Sequence, residues 1–298
     1  MNMESSINDK YIYKHLSDMS TIKGIVHISH GMAEHIGRYQ WLIKKLNNDG
    51  YHVIAIDHRG HGKRIRNNLK GYFADDDGWN LVVNDLRLII NETKKKYPNV
   101  KQYLLAHSMG SWIALDAIQK KLNINALILS GSSKISPTLL SIQQLLIKFH
   151  VLFFGKKNIS KFLDNISLGA YNKFFAPNRT LKDWISSDTS NVDHYVADPL
   201  CGFMVTNGLW NDLSSGMKAV FNIKNYKETN KLLPILIISG LKDPVGENGI
   251  GVKRLHMFLN KIYKNISIEL IKDARHEVFS EIDKEKNYLF LSNFLNRN

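Results

Sequence analysis

The chain is punctuated by short runs of β-branched and other apolar residues, each followed by a longer stretch of helical period, and this alternation constrains its fold most. The runs fall at residues 23–29, 52–56, 102–105, 126–129, 233–239 and 266–271. Runs this short and this apolar read as strands buried on both faces, and strands alternating with helices make a mostly parallel sheet covered by those helices. The helices have legible ends. One at 39–48 stops before Gly50, and one at 78–96 is closed by Pro98. A third begins at Ser108, and two more cover 251–264 and 284–296. Between Ser130 and Lys231 the rhythm fails, leaving about a hundred residues with helical patches, Trp184 and Trp210, and no clear strand. The expectation is therefore a core formed by 1–130 and 231–298, with 131–230 inserted as a helical cap. No internal repeat and no Gly/Ser-rich linker interrupts this pattern.

Composition narrows the class. With 298 residues, 44% hydrophobic and 22% charged, the chain can bury a sizeable core and is neither disordered nor fibrous. Lys and Arg number 40 against 27 Asp and Glu, a net charge of +13 that would attract an anionic surface. The excess is mostly Lys in a sequence also rich in Ile and Asn, so composition alone accounts for it equally well. No basic run interleaved with aromatics points to nucleic acid. Cys201 is the only cysteine, which excludes an intrachain disulfide and any CxxC motif and suits a reducing cytoplasm. The amino-terminal MNMESSINDKYIYK carries acids and no apolar core, so it does not read as a secretory signal. The longest apolar stretch, 137–154, is broken by Gln143, Gln144, Lys148 and His150 and falls short of the roughly 20 residues that span a bilayer, so no transmembrane helix is expected.

Chemistry is concentrated at strand ends. Ala106-His107-Ser108-Met109-Gly110-Ser111 follows a strand and opens a helix. A serine flanked at two residues on either side by small residues suits a tight strand–turn–helix elbow that lifts Oγ clear of the sheet, although a lone serine here could equally be a helix N-cap. Directly after the first strand comes His30-Gly31-Met32. Acyl transfer needs two preorganised backbone N–H groups where an oxyanion develops, and Met32 and Met109 stand at the two places that supply them; a plain glycine turn is the simpler reading of the first. The serine needs a base, oriented by a carboxylate, and in this architecture both follow it in sequence. His276 lies in a loop after the last strand, whereas His256 falls within a helical pattern. Asp243 stands just past the carboxyl end of the strand at 233–239. Its rival Asp273 is three residues from His276 and better suited to ordering that loop, and Asp57, which precedes the serine, reads as a structural turn.

On these residues the chain resembles the α/β-hydrolase superfamily, and within it the monoacylglycerol lipase and lysophospholipase group, also classed with serine aminopeptidase-like hydrolases. The resemblance rests on His30-Gly31-Met32-Ala33-Glu34-His35 with Arg38-Tyr39, on Asp57-His58-Arg59-Gly60-His61-Gly62, on His107-Ser108-Met109-Gly110-Ser111, on Asp243-Pro244-Val245 and on His276-Glu277. Tyr171-Asn172-Lys173-Phe174-Phe175, Asp183-Trp184 and Asp198-Pro199-Leu200-Cys201-Gly202-Phe203 look like the cap of bacterial members. The likeness spans nearly the whole chain. It implies an α/β-hydrolase fold with a helical cap, Ser108 as nucleophile, Asp243 and His276 as its partners, the Met32 and Met109 amides as oxyanion hole, and no cofactor or metal.

The substrate depends on the cap. Leu140, Leu145, Leu146, Phe149, Leu152, Phe153 and Phe154, followed by Lys156 and Lys157, suit an amphipathic element that guides an acyl chain from a lipid surface, or a helix packed on its own domain. An aminopeptidase would need carboxylates gathered to hold an ammonium group. Asp183, Asp188, Asp193 and Asp198 are candidates, but three recur at near-helical spacing and Asp198 belongs to a motif of the resemblance. The expectation is a serine carboxylic-ester hydrolase acting through an acyl-enzyme on a small lipid ester, a monoacylglycerol or lysophospholipid. It would be cytoplasmic, with peripheral contact to anionic membrane; a peptidase and a non-catalytic ligand-binding relative are the alternatives.

Overall fold

A computed structural model describes residues 8–298, so the start of the amino-terminal stretch judged above not to be a secretory signal lies outside the described residues. Seven strands form one sheet: β1 (Ile12–His15), β2 (Gly24–Ser29), β3 (Tyr51–Ile56), β4 (Gln102–His107), β5 (Ala126–Ser130), β6 (Ile235–Gly240) and β7 (Ile266–Ile271). The order is β1-β3-β2-β4-β5-β6-β7, and every pairing is parallel except that of β1 with β3. Along β4, Leu104 faces one core and Leu105 the other, the period-2 alternation that lets one apolar run serve two layers.

The helices are α1 (Gln40–Asn48), α2 (Gly78–Lys96), α3 (Met109–Ala117), α4 (Pro137–Phe154), α5 (Lys161–Ile166), α6 (Leu168–Tyr171), α7 (Thr189–Ala197), α8 (Asn207–Val220), α9 (Ile250–Leu259) and α10 (Lys284–Arg297). One face of the sheet is covered by α1 through Leu42, Ile43 and Leu46 and by α10 through Tyr288, Leu291 and Leu295. The other face is covered by α2, α3, α8 and α9, with Trp79, Ile113, Leu213 and Leu255 among the buried residues. The sheet and the helices flanking it are the α/β-hydrolase architecture expected from the sequence.

Strands β5 and β6 are neighbours in the sheet, yet α4 to α8 lie between them in the chain. Within that insertion α8 turns its Leu209, Leu213 and Met217 side into the core, while α4 lies against α8 with only Leu140 and Ile147 buried. By length and composition α4 is long and apolar enough to cross a membrane, contrary to the sequence expectation. Its packing on α8 and the cleft-lining positions of Leu140, Gln143 and Ile147 tie it to the fold.

Candidate active site

Ser108 occupies the turn between β4 and α3 with φ 52° and ψ −124°, a conformation that costs an L-residue of order 1–3 kcal/mol. It stands at the N-cap position of α3, yet its side chain makes no capping hydrogen bond. The N-cap alternative is thereby removed, and the hydroxyl remains available. The turn is held from behind: the Ser108 N–H donates to Ser130 O at 2.9 Å, and Ser111 Oγ donates to Ser108 O at 2.5 Å. Gly110 is required because a Cβ there would run into the Ser29 and His30 carbonyls of β2 and its following loop. The close approach of α3 to β2 that the small residues promised is thus achieved.

His276 and Asp243, separated by 33 residues in sequence, meet at the carboxyl edge of the sheet, where His276 Nδ1 lies 3.0 Å from Asp243 Oδ2. Asp243 is fully buried and also accepts from Val245 N at 2.9 Å and Ser239 Oγ at 3.3 Å. A carboxylate so placed fixes the tautomer with the proton on Nδ1 and leaves Nε2 free to act as base. Burial alone would push the His276 imidazole down, but the Asp243 carboxylate, by its charge and hydrogen bond, and the charges of Glu277 and Glu34 hold it above its ordinary value. The His276 ring lies 4.7 Å from that of His107, the residue preceding Ser108, and 5.0 Å from that of Trp184. Among the described residues Ser108 Oγ makes no hydrogen bond to His276.

The rivals separate cleanly. Asp273 is exposed and pairs with Lys242 at 3.0 Å. His256 sits on α9 beside Asn260. Asp57 is buried as a turn anchor, accepting from Tyr13 Oη, Ile36 N and Lys63 N.

Met32 and Met109 line, with Ser108, one cleft of about 790 Å³ including its open mouth. Met109 is the first residue of α3, so its N–H has no partner within the helix, and the Met32 N–H donates to no protein acceptor among the described residues. Beyond them the cleft is walled by Trp112, Leu140, Ile147, Leu163, Trp210 and Met217, with Gln143, Ser167, Tyr171 and Ser214 as its polar points. No carboxylate and no cation lines it among the described residues.

Sequence reasoning missed several neighbours of this site. Trp184, from the insertion, lies against His276, and a buried charged cluster of Glu34, Arg38 and Glu277 lies behind it. Burial holds His107 down to about 4, with the nearby His276 adding to the effect, so this imidazole is neutral. Among the described residues one group of side chains has the spacing to hold a cation, His35, Asp198 and Cys201. His35 and Asp198 already have partners: His35 Nε2 bonds Asp198 Oδ2 at 2.9 Å, His35 Nδ1 accepts from Gly37 N, and Asp198 Oδ1 accepts from Leu200 N.

A mostly parallel sheet of this order, with a serine raised on the turn after β4 and a histidine–aspartate pair beyond β6 and β7, defines an α/β-hydrolase. Residues 20–283 match the family described as serine aminopeptidase, S33. Among its relatives, the monoglyceride lipase of Rattus norvegicus is 30% identical over 75% of this chain and 66% of that protein. A monoglyceride lipase homolog of monkeypox virus is 26% identical over 96% of this chain and 93% of its own length. Among solved structures, a thermostable carboxyl esterase from Bacillus coagulans superposes with a TM-score of 0.84 at 24% identity, covering 95% of this chain and 94% of that one. The chain belongs to the S33 serine aminopeptidase family of α/β-hydrolases, in its monoacylglycerol lipase-like group, and is a carboxylic-ester hydrolase.

Proposed function

We propose that the chain hydrolyses monoacyl lipid esters, monoacylglycerols or lysophospholipids, through an acyl-enzyme on Ser108. His276 takes the serine proton through Nε2, and Asp243 holds the imidazole and stabilises its charged form. The Met32 and Met109 amides receive the oxyanion, and residues 131–230 form a cap over the nucleophile. The proton on His276 passes to the leaving alcohol; water then attacks the acyl-enzyme by the same route, regenerating Ser108 and releasing the fatty acid. The observation that carries this reading is the cleft itself: the serine opens onto a wall of Leu, Ile, Met and Trp side chains.

The peptidase reading invited by the family's description is disfavoured by where the insertion's acids go. Asp183 accepts from the turn at Arg179 and Thr180, Asp188 caps α7, Asp193 pairs with Arg179, and Asp198 is taken by His35. None lines the cleft to meet an ammonium group. Each buried CH₂ contributes about 0.8 kcal/mol, so kcat/KM should climb from acetyl to medium and long acyl monoesters where that contact is realised in the transition state. The test is one panel of monoacylglycerols, lysophosphatidylcholine, short p-nitrophenyl esters and aminoacyl amides. Faster turnover of an aminoacyl amide than of every lipid monoester would reject the assignment.

We further propose that the insertion touches membrane peripherally. Leu145, Phe149, Leu152 and Phe153 of α4 are exposed, Leu152 by 79%, and Ile159 and Phe162 beyond it are exposed as well. Contiguous exposed apolar surface of this kind marks an interaction site. Lys156 and Lys157, which the sequence suggested as its basic border, instead pair with Asp76 and Asp75, so the attraction to anionic lipid rests on the overall +13. Vesicles containing phosphatidylserine should bind the protein more than neutral ones. The preference should fade as salt shortens the Debye length below about 8 Å. The double variant Leu152→Asp, Phe153→Asp should lower partition at least tenfold with no effect on a soluble ester. Equal binding to both vesicle types at low salt would discard the electrostatic part, and an unaffected double variant the apolar part.

A further inference from the structure

Behind the site lies a charged cluster that takes no direct part in the chemistry described. Arg38, in the turn before α1, is 9% exposed in its side chain, and so is Glu277; Glu34 is 5% exposed. The Arg38 guanidinium donates in bidentate fashion to Glu277, Nη1 to Oε1 at 2.5 Å and Nη2 to Oε2 at 3.0 Å. The same Nη1 reaches Glu34 Oε2 at 3.4 Å. Each carboxylate is tied to a different part of the site. Glu34 Oε1 accepts from Gly31 N at 2.5 Å, the residue before Met32, and from Tyr39 Oη at 2.8 Å. Glu277 follows His276 directly, and its own N–H donates to Ile185 O in the insertion at 2.8 Å. Asn191 of α7 closes the arrangement, accepting from Arg38 Nη2 and donating to Glu277 Oε2, both at 2.8 Å.

Three buried charges are a poor device for stability. Apolar replacements of such groups are often neutral or stabilising, because desolvation cancels the attraction. What the cluster does achieve is a fixed distance between two loops that approach from opposite ends of the sequence, one presenting the Met32 amide and the other His276. We propose that Arg38 is a positioning residue: by gripping Glu34 and Glu277 with one planar guanidinium it locks the oxyanion loop to the loop that carries the base. The inference rests on the roles given above to Ser108, His276 and Met32. It also places charge around His276. The groups facing that ring are Asp243 from the loop after β6, Glu277 beside it, Glu34 from the oxyanion loop, neutral His107 from β4 and the uncharged Trp184 from the insertion, with Arg38 offsetting the two glutamates.

The test uses the full chain carrying Arg38→Met, Arg38→Lys or Glu277→Gln, a soluble p-nitrophenyl butyrate assay, and fluorophosphonate titration to count competent sites. Arg38→Met should lower kcat per titrated site about 100-fold with KM within a few-fold, the size of effect expected when reacting groups shift by about 1 Å. Arg38→Lys should not restore the rate, since an ammonium cannot span two carboxylates as a fork. The acid limb of kcat/KM reports His276, whose neutral form is the base. Loss of the Arg38 cation should raise that limb, and loss of the Glu277 anion should lower it, opposite shifts that a purely structural defect would not produce. An unchanged kcat per titrated site in Arg38→Met, full rescue by Arg38→Lys, or limbs that stay put or move together would overturn the proposal. Should Arg38→Met not fold, the profile of Glu277→Gln decides. If Ser108→Ala retains turnover in the same assay, the assignment of the site has failed rather than the coupling.

Discussion

Replacing Ser108 with Ala is expected to remove ester hydrolysis by a factor on the order of 10⁶, and His276→Ala should cost nearly as much, because in the proposed mechanism nucleophile and base would act as one unit. The two variants should differ in stability. Ser108 Oγ caps no helix and Ala at φ 52° is strained no more than Ser, so Ser108→Ala should melt with the unmodified protein. His276→Ala strips the buried Asp243 carboxylate of its ring partner and opens a cavity beside Trp184 and His107, so it should melt lower. Turnover of p-nitrophenyl esters, fluorophosphonate labelling and thermal melting together check this. Undiminished hydrolysis by folded Ser108→Ala protein would end the serine assignment.

The parts of the fold that were legible in the sequence are those in which one physical demand acts on a whole segment. Strands β2 to β6 are covered on both faces, so each is a nearly continuous apolar run; β7 falls where the pattern placed it, but as an edge strand it is only partly buried, with Ile266, Ile268 and Leu270 packed on the core and Ser267 exposed, rather than buried on both faces as its run suggested. Strand β1 was missed for the converse reason: it is an antiparallel edge strand of four residues, Ile12-Tyr13-Lys14-His15, partly exposed and mixed in character. The short insertion helices carry no period long enough to read. Their only local signals are caps, Ser160 for α5 and Asp188 for α7.

Within the candidate site, Ser108, Asp243 and His276 were expected at strand ends, because topology dictates where a strand end points, and the structure brings Asp243 and His276 together there. The Glu34–Arg38–Glu277 cluster could not be foreseen in this way. Glu34, Arg38 and Glu277 stand in motifs that carry the family resemblance, but nothing local says that Glu277, 239 residues after Arg38, arrives to share the guanidinium. Trp184 stands out in sequence only as part of the Asp183-Trp184 motif of the insertion, and the folding of that insertion onto the loop of His276 is what sets it against the ring.

Asp243→Asn should lower kcat by about 10⁴ while leaving KM and the fold nearly unchanged, and Asp273→Asn should lie within a few-fold of the unmodified enzyme. The reasoning concerns a proton. Asp243 Oδ2 accepts from His276 Nδ1, which leaves the basic lone pair on Nε2, the nitrogen that would take the serine proton in the proposed mechanism. An amide in its place can present NH₂ to Nδ1; the ring would then carry its proton on Nε2 and cease to be a base toward a hydroxyl. Asp243 also accepts from Val245 N and Ser239 Oγ, and an amide oxygen can keep one of these, so the loop should survive the change. Asp273, exposed and paired with Lys242 at 3.0 Å, touches none of these atoms, and a solvent-screened pair of that kind contributes little. The pH profile adds a second reading. Loss of the Asp243 anion removes the largest of the charges that raise the His276 imidazole, so any residual activity should persist to lower pH than in the unmodified enzyme. Comparable losses in both variants, or a larger loss in Asp273→Asn, would mean that a different carboxylate orients the base.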